Sequence, residues 1–251
     1  MAAKIRNIVK QFQSTHQARF KKLLVSGCSY TWNNSEQHAC SWPYYLRDIG
    51  GFDQVLDCSQ SGAGSNHIFN SVINEIETNS TVDKHNTLVV VMWSGLTRTD
   101  VIGTQDITAP WHYMSNYNFN KRFATLSMCN QTSDNNPVAI LSQQYKRLID
   151  TDAQIYESML KIIALDCYLE EKEFDFIFAS WMDPLPELNR IDSTLSTKVV
   201  DLLSSIPYLD EYAIQKKQKE LDGHPTPDGY LGWTRQYLIP YLESKKFIEL
   251  K

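Results

Sequence analysis

Leu88-Val89-Val90-Val91-Met92-Trp93 decides the fold. Its six consecutive apolar residues leave no polar face, and three of them are β-branched. That pattern predicts a central strand of a parallel sheet, buried on both faces. Three further runs, Lys22–Ser26, Gln54–Cys58 and Phe174–Trp181, read as strands around it. Helical spacing separates the runs. Trp42–Ile49 is a short helix, Asn66–Thr78 a longer one, and Ser142–Glu171 longer still. A last helix runs from Pro227 to Lys245, with Pro240 expected to kink or end it. Strands alternating with helices predict an α/β fold, a three-layer α/β/α sandwich with a central parallel sheet and right-handed crossovers.

Two segments stand outside this alternation. Ile5, Ile8, Val9 and Phe12 predict an amphipathic N-terminal helix over residues 4–19. Residues 99–137, rich in Asn, Thr and aromatics such as Trp111, Tyr113 and Tyr117, read as an irregular insert. Long irregular segments in a domain are usually functional, and the aromatics suit an ordered lid or pocket wall. With no composition break, residues 1–251 read as one domain.

The net charge of −5 argues against nucleic-acid and anionic-membrane partners. Lys216-Lys217-Gln218-Lys219 reads as a solvated face. The five cysteines have neither CxxC nor metal-ligand spacing, so no metal or cofactor is expected. Their odd number suits a reducing compartment. The first residues lack the apolar core of a signal peptide, and no run has transmembrane length, so a cytoplasmic location is expected.

Ligands of open parallel sheets bind beyond the carboxyl ends of the strands. Ser29 follows the first strand, Ser61 to Asn66 the second, and Ser94-Gly95 the third. Asp222 and His224 precede the last helix, and the topology brings all four segments to one edge. A serine hydroxyl is a poor nucleophile without a base, and the base needs an orienting carboxylate. Ser29, His224 and Asp222 supply those parts. The N–H groups of Ser29 and Gly62 are candidate oxyanion donors, with Gly64 the alternate to Gly62.

In this order the segments resemble the SGNH/GDSL hydrolase family. Gly27-Cys28-Ser29-Tyr30-Thr31 is similar to its serine block, with Cys28 where Asp is usual. Gly62 stands at the oxyanion glycine, and Asp222-Gly223-His224-Pro225 at the last block. The stretch from Ser41-Trp42-Pro43 to Leu46 resembles the helix after the serine block in phage-encoded members. The resemblance spans residues 22–245. It implies a flavodoxin-like α/β fold and hydrolysis of small acyl esters, acetylated sugars among them, through a Ser29 acyl-enzyme. The same chemistry could transfer the acyl group to another hydroxyl.

Two departures matter. Leu96 falls where the family has its oxyanion asparagine, and Asn66, Ser94 and Thr97 are the candidate replacements. Asp222 lies two residues before His224, where the family has three. Arg98, just past the third strand, either binds an anionic substrate group or pairs with Asp100. The departures keep open a catalytically weak or inactive binding or structural module on the same fold. Gly62-Ala63-Gly64 before a helix also suits a phosphate site, but there is no Walker lysine and no full GxGxxG.

Overall fold

The computed structural model describes residues 16–32, 40–102, 123–126, 150–191 and 194–251, with the backbone alone for 99–102 and 123–126. In chain order the first elements are β1 (His16–Ala18), β2 (Lys22–Gly27), α1 (Trp42–Gly50) and β3 (Gln54–Asp57). Then come α2 (Ser65–Thr78), β4 (Thr87–Trp93), β5 (Thr99–Ile102), β6 (Phe123–Leu126), α3 (Thr151–Glu171) and β7 (Phe176–Ser180). Helices α4 (Leu185–Leu188), α5 (Thr194–Leu203), α6 (Leu209–Gln215) and α7 (Pro227–Trp233) follow. A π-helical turn (Thr234–Leu238), α8 (Ile239–Ser244) and β8 (Ile248–Leu250) complete the described chain.

The central sheet has the order β3-β2-β4-β7, and all its pairings are parallel. Every residue of β4 is buried, as its unbroken apolar run requires. Helices α7 and α8 both contact α1, and α3 contacts both α2 and α5. The two groups cover the sheet as outer layers, completing the α/β/α sandwich. The core joins Leu23, Leu24 and Val25 of β2 to Trp42 and Leu46 of α1, Ile68 and Val72 of α2, and Ile155 and Met159 of α3.

From β2 the chain first moves outward to β3, then returns past β2 to β4. The order therefore reverses between β2 and β4. In flavodoxin-like sheets a crevice opens at such a switch point, beyond the carboxyl ends of the strands. Ser29 leaves β2 there, and Ser94 to Arg98 leave β4 there.

Several expectations are corrected. Residues 16–18 form β1, paired antiparallel with β8, where the N-terminal helix 4–19 was to end; residues 4–15 lie outside the described residues. His16 is buried, with Nε2 2.9 Å from Glu243 Oε1, a long-range contact that holds the segment extended. The insert 99–137 is not wholly irregular: β5 and β6 pair as an antiparallel ribbon. Residues 103–122 and 127–149 lie outside the description, with Trp111, Tyr113, Tyr117 and positions 142–149 of the expected long helix among them; α3 itself starts at Thr151, where Asp150 is extended and its side chain accepts from Asp152 N–H.

Phe174, expected in a strand, closes α3 by donating its N–H to Leu169 O at 3.0 Å, after Glu173 turns left-handed at φ 59°. Pro240 neither breaks nor ends the last helix. The preceding turn widens to π geometry, with Ile239 N–H bonding Thr234 O, so the missing proline N–H falls in the first turn of α8. Helices α4, α5 and α6 were not anticipated.

Candidate active site

β2 ends at Gly27 for a steric reason. A Cβ there would stand 2.8 Å from Met92 O and closer still to the Thr31 side chain. Past it the chain folds over, with Thr31 and Trp32 N–H both bonding Cys28 O at 2.9 Å. This turn buries Cys28 and Tyr30 and leaves Ser29 half-buried at the strand's exit. Thr31 Oγ1 accepts from Trp42 Nε1 at 3.3 Å, tying the turn to α1. Burial pushes the Cys28 thiol up, so it stays a neutral packing group.

His224 arrives from a loop closed by the bridge Lys219↔Pro225. Glu220 N–H donates to His224 O at 2.7 Å and Thr226 N–H to Gln218 O at 2.8 Å. Gly223 takes φ +88° at the tip, a conformation that costs glycine nothing. Thr226 then caps α7, its Oγ1 accepting from Gly229 N–H at 3.1 Å, with Pro227 in the first turn.

The loop presents His224 Nε2 at 2.8 Å from Ser29 Oγ. Asp222 Oδ2 lies 3.2 Å from His224 Nδ1, and its Oδ1 accepts the His224 backbone N–H at 3.0 Å. The two-residue spacing therefore works by an Asx turn, one carboxylate holding both backbone and ring. Bound this way, Asp222 favours the proton on Nδ1 and leaves Nε2 to accept from the Ser29 hydroxyl. The His224 backbone N–H holds the Asp222 carboxyl below its ordinary value against the opposing effect of burial, with the His224 ring adding to the lowering. The Asp222 side chain remains 69% exposed, so solvent screens the pairing.

Tyr30 is a site residue that sequence reasoning missed; its signal was its place next to Ser29. Its ring lies 4.8 Å from the His224 ring and stacks on Trp181 at 4.2 Å. Its hydroxyl donates toward Asp210 Oδ1 at 3.3 Å and Gly223 O at 3.2 Å. Asp210 also accepts from Lys219 Nζ at 2.7 Å. Lys219, read as part of a solvated face, thus has a structural partner. Burial and Asp210 raise the Tyr30 phenol well above its usual range, keeping it a donor. Trp181, at the end of the expected strand Phe174–Trp181, is half-buried against Tyr30 and lines the site.

The oxyanion side is less complete. Gly62 has φ +76° with open space where a Cβ would point, and its N–H bonds none of the described residues. At the asparagine position Leu96 is buried, and its N–H goes to Glu187 Oε2 at 2.6 Å. Thr97 Oγ1 donates to Glu187 Oε1 at 2.9 Å, so both are engaged. Sequence did not point to Glu187, which acts from the far α4. Asn66 directs its amide to Glu157 Oε1 at 3.5 Å, toward α3. Ser94 Oγ is buried without a hydrogen-bond partner among the described residues. Arg98 lies over the Trp181 ring at 5.5 Å, with Nη1 buried and unpartnered among the described residues. The Asp100 side chain lies outside the description. Among the described residues no His, Cys, Asp and Glu cluster could hold a metal, and no helix is long and apolar enough to cross a membrane.

No protein-family model and no curated protein matches the sequence. Solved structures do match in shape. The psychrotrophic esterase EstA from Pseudoalteromonas sp., solved with monoethylphosphonate as inhibitor, aligns at TM-score 0.50 and 10% identity, over 89% of this chain and 99% of its own. A lipolytic protein of the G-D-S-L family from Desulfitobacterium hafniense gives 0.46 and 10%, over 86% and 96% of the two chains. A GDSL-like lipase from Bacteroides thetaiotaomicron gives 0.44 and 14%, over 90% and 89%. With a parallel sheet of order β3-β2-β4-β7 under two helical layers and the near-complete overlap with the Pseudoalteromonas enzyme, the chain has the SGNH/GDSL hydrolase fold.

Proposed function

We propose that the protein is a serine esterase or O-deacylase acting on small acyl esters. The 2.8 Å contact between Ser29 Oγ and His224 Nε2 carries this reading, because it joins residues 195 apart at the edge where such sheets bind ligands. His224 takes the Ser29 proton as Oγ attacks the acyl carbon. The N–H groups of Ser29 and Gly62 receive the developing oxyanion. The protonated imidazole then gives its proton to the departing alkoxide, leaving an acyl group on Ser29. Water, deprotonated by His224, releases the acid and restores the serine. Acetyl esters, including those on sugars, are the proposed substrates. Another hydroxyl in place of water would make the reaction an acyl transfer.

A second reading has its own support. The engaged Leu96 N–H and the exposed Asp222 are what a non-catalytic binding module on this fold would tolerate. A fluorophosphonate probe separates the two. An adduct on Ser29, located by mass spectrometry, absent in Ser29→Ala and reduced in His224→Ala, is expected of the esterase. No adduct and no turnover of short-chain nitrophenyl esters would assign the chain to the binding class.

A further inference from the structure

The exits of β4 and β7 hold an imbalance of hydrogen-bonding groups. Among the described residues, four buried side-chain atoms there have no hydrogen-bond partner: Trp93 Nε1, Ser94 Oγ, Arg98 Nη1 and Trp181 Nε1. Three of these can only donate, and the fourth can. Buried polar groups are almost always paired, so four unpaired donors on one edge call for an explanation. A guanidinium is charged at every relevant pH, and its unpaired N–H is the costliest of the four. The neighbouring acid does not supply its partner. Glu187 spends its oxygens on Leu96 N–H and Thr97 Oγ1, and no ion pair to Arg98 is found among the described residues.

Arg98 and Trp181 of this group connect to the serine turn. Arg98 sits on Trp181, Trp181 stacks on Tyr30, and Tyr30 follows Ser29 in the chain. Arg98 is also near enough for its charge to oppose the effect of burial on Cys28, on the other side of Ser29.

Resting on the esterase reading of Ser29, we propose that Arg98, with Ser94 Oγ and the Trp181 N–H, binds an oxyanion group carried by the substrate, so that the enzyme selects esters bearing a carboxylate or a phosphate. The guanidinium fork matches both groups in two parallel hydrogen bonds, and the serine and indole donors add to it. Neutral esters of the same size leave these donors unpaired and bind less well.

Binding and turnover test this separately. Ser29→Ala removes the nucleophile and leaves the donor edge intact. By calorimetry it is expected to bind monomethyl succinate about tenfold or more tightly than dimethyl succinate, or 1-acetylglycerol 3-phosphate by that margin over 1-acetylglycerol. The pair that shows the preference names the anion. Adding Arg98→Met should abolish the preference, with Arg98→Lys retaining part of it. In the enzyme with Ser29 present, mono-4-nitrophenyl succinate should exceed 4-nitrophenyl acetate in kcat/KM, and Arg98→Met should erase the difference chiefly through KM. Equal binding of charged and neutral partners in both pairs overturns the proposal. So does an Arg98→Met effect that lowers kcat equally on both nitrophenyl esters. Selective anion binding without turnover of any ester would sink the esterase reading and leave the anion site standing.

Discussion

Ser29 and His224 meet at hydrogen-bond distance, whereas Asp222 stands largely in water. That difference sets unequal expectations. Ser29→Ala and His224→Ala should each remove at least about 10³-fold of kcat/KM. Asp222→Asn should cost only roughly tenfold, far below the ~10⁴-fold expected of a buried orienting aspartate. The pH dependence has a definite sign. Asp222 is held below its ordinary value of 3.8, so its carboxylate is formed, and its contribution complete, above that value. The ratio of wild-type to Asp222→Asn rates should shrink toward one as pH falls through the lowered value. A ratio that persists at a pH well below the lowered value would contradict this role. At this scale the sequence was informative for a local reason. The serine follows a strand and the histidine precedes a helix, and both positions can be read from neighbours. Tyr30, Trp181 and Glu187 were not legible because each acts through a contact with a distant segment.

The elements explain how the two halves of the site are held. The serine half is fixed by steric demand at Gly27 and by the Trp42 bond to Thr31. The histidine half hangs from a short loop braced by Tyr30 and by the Thr226 cap. Tyr30→Phe keeps the ring stack and removes the hydroxyl bonds to Asp210 and Gly223. Its kcat should fall several-fold with an unchanged circular dichroism spectrum. Thr226→Ala should cost about 1 kcal/mol of stability in urea unfolding, the usual loss of a helix cap. The strands and long helices were legible because their apolar spacing repeats over many residues. Helix α5 carried a signal as well, in Leu195, Val199 and Leu203, but the short segments around it hid the period. Residues 16–18 went wrong for the opposite reason. Their strand depends on β8, more than two hundred residues away, and no local pattern reports that partner.

In the whole molecule, the sheet order puts the switch point between β2 and β4, next to the best-buried strand. Leu24, fully buried on β2 and aligned with Val89, should cost about 3 kcal/mol when replaced by Ala, measured as a lower urea midpoint. The order could be anticipated as a parallel α/β sheet, but the flanking β1–β8 and β5–β6 ribbons could not, because each joins segments with no shared local pattern. The single bridge Lys219↔Pro225 has a consequence for heat resistance. β4 is hydrogen-bonded on both edges, so its amides should exchange with deuterium only through global opening, and the exit of neighbouring β2 is anchored to it. The loop carrying His224 has no such support and should exchange at far lower free energy. On warming, ester turnover is therefore expected to fade several degrees before the tryptophan fluorescence reports unfolding, and to return fully on cooling from that interval.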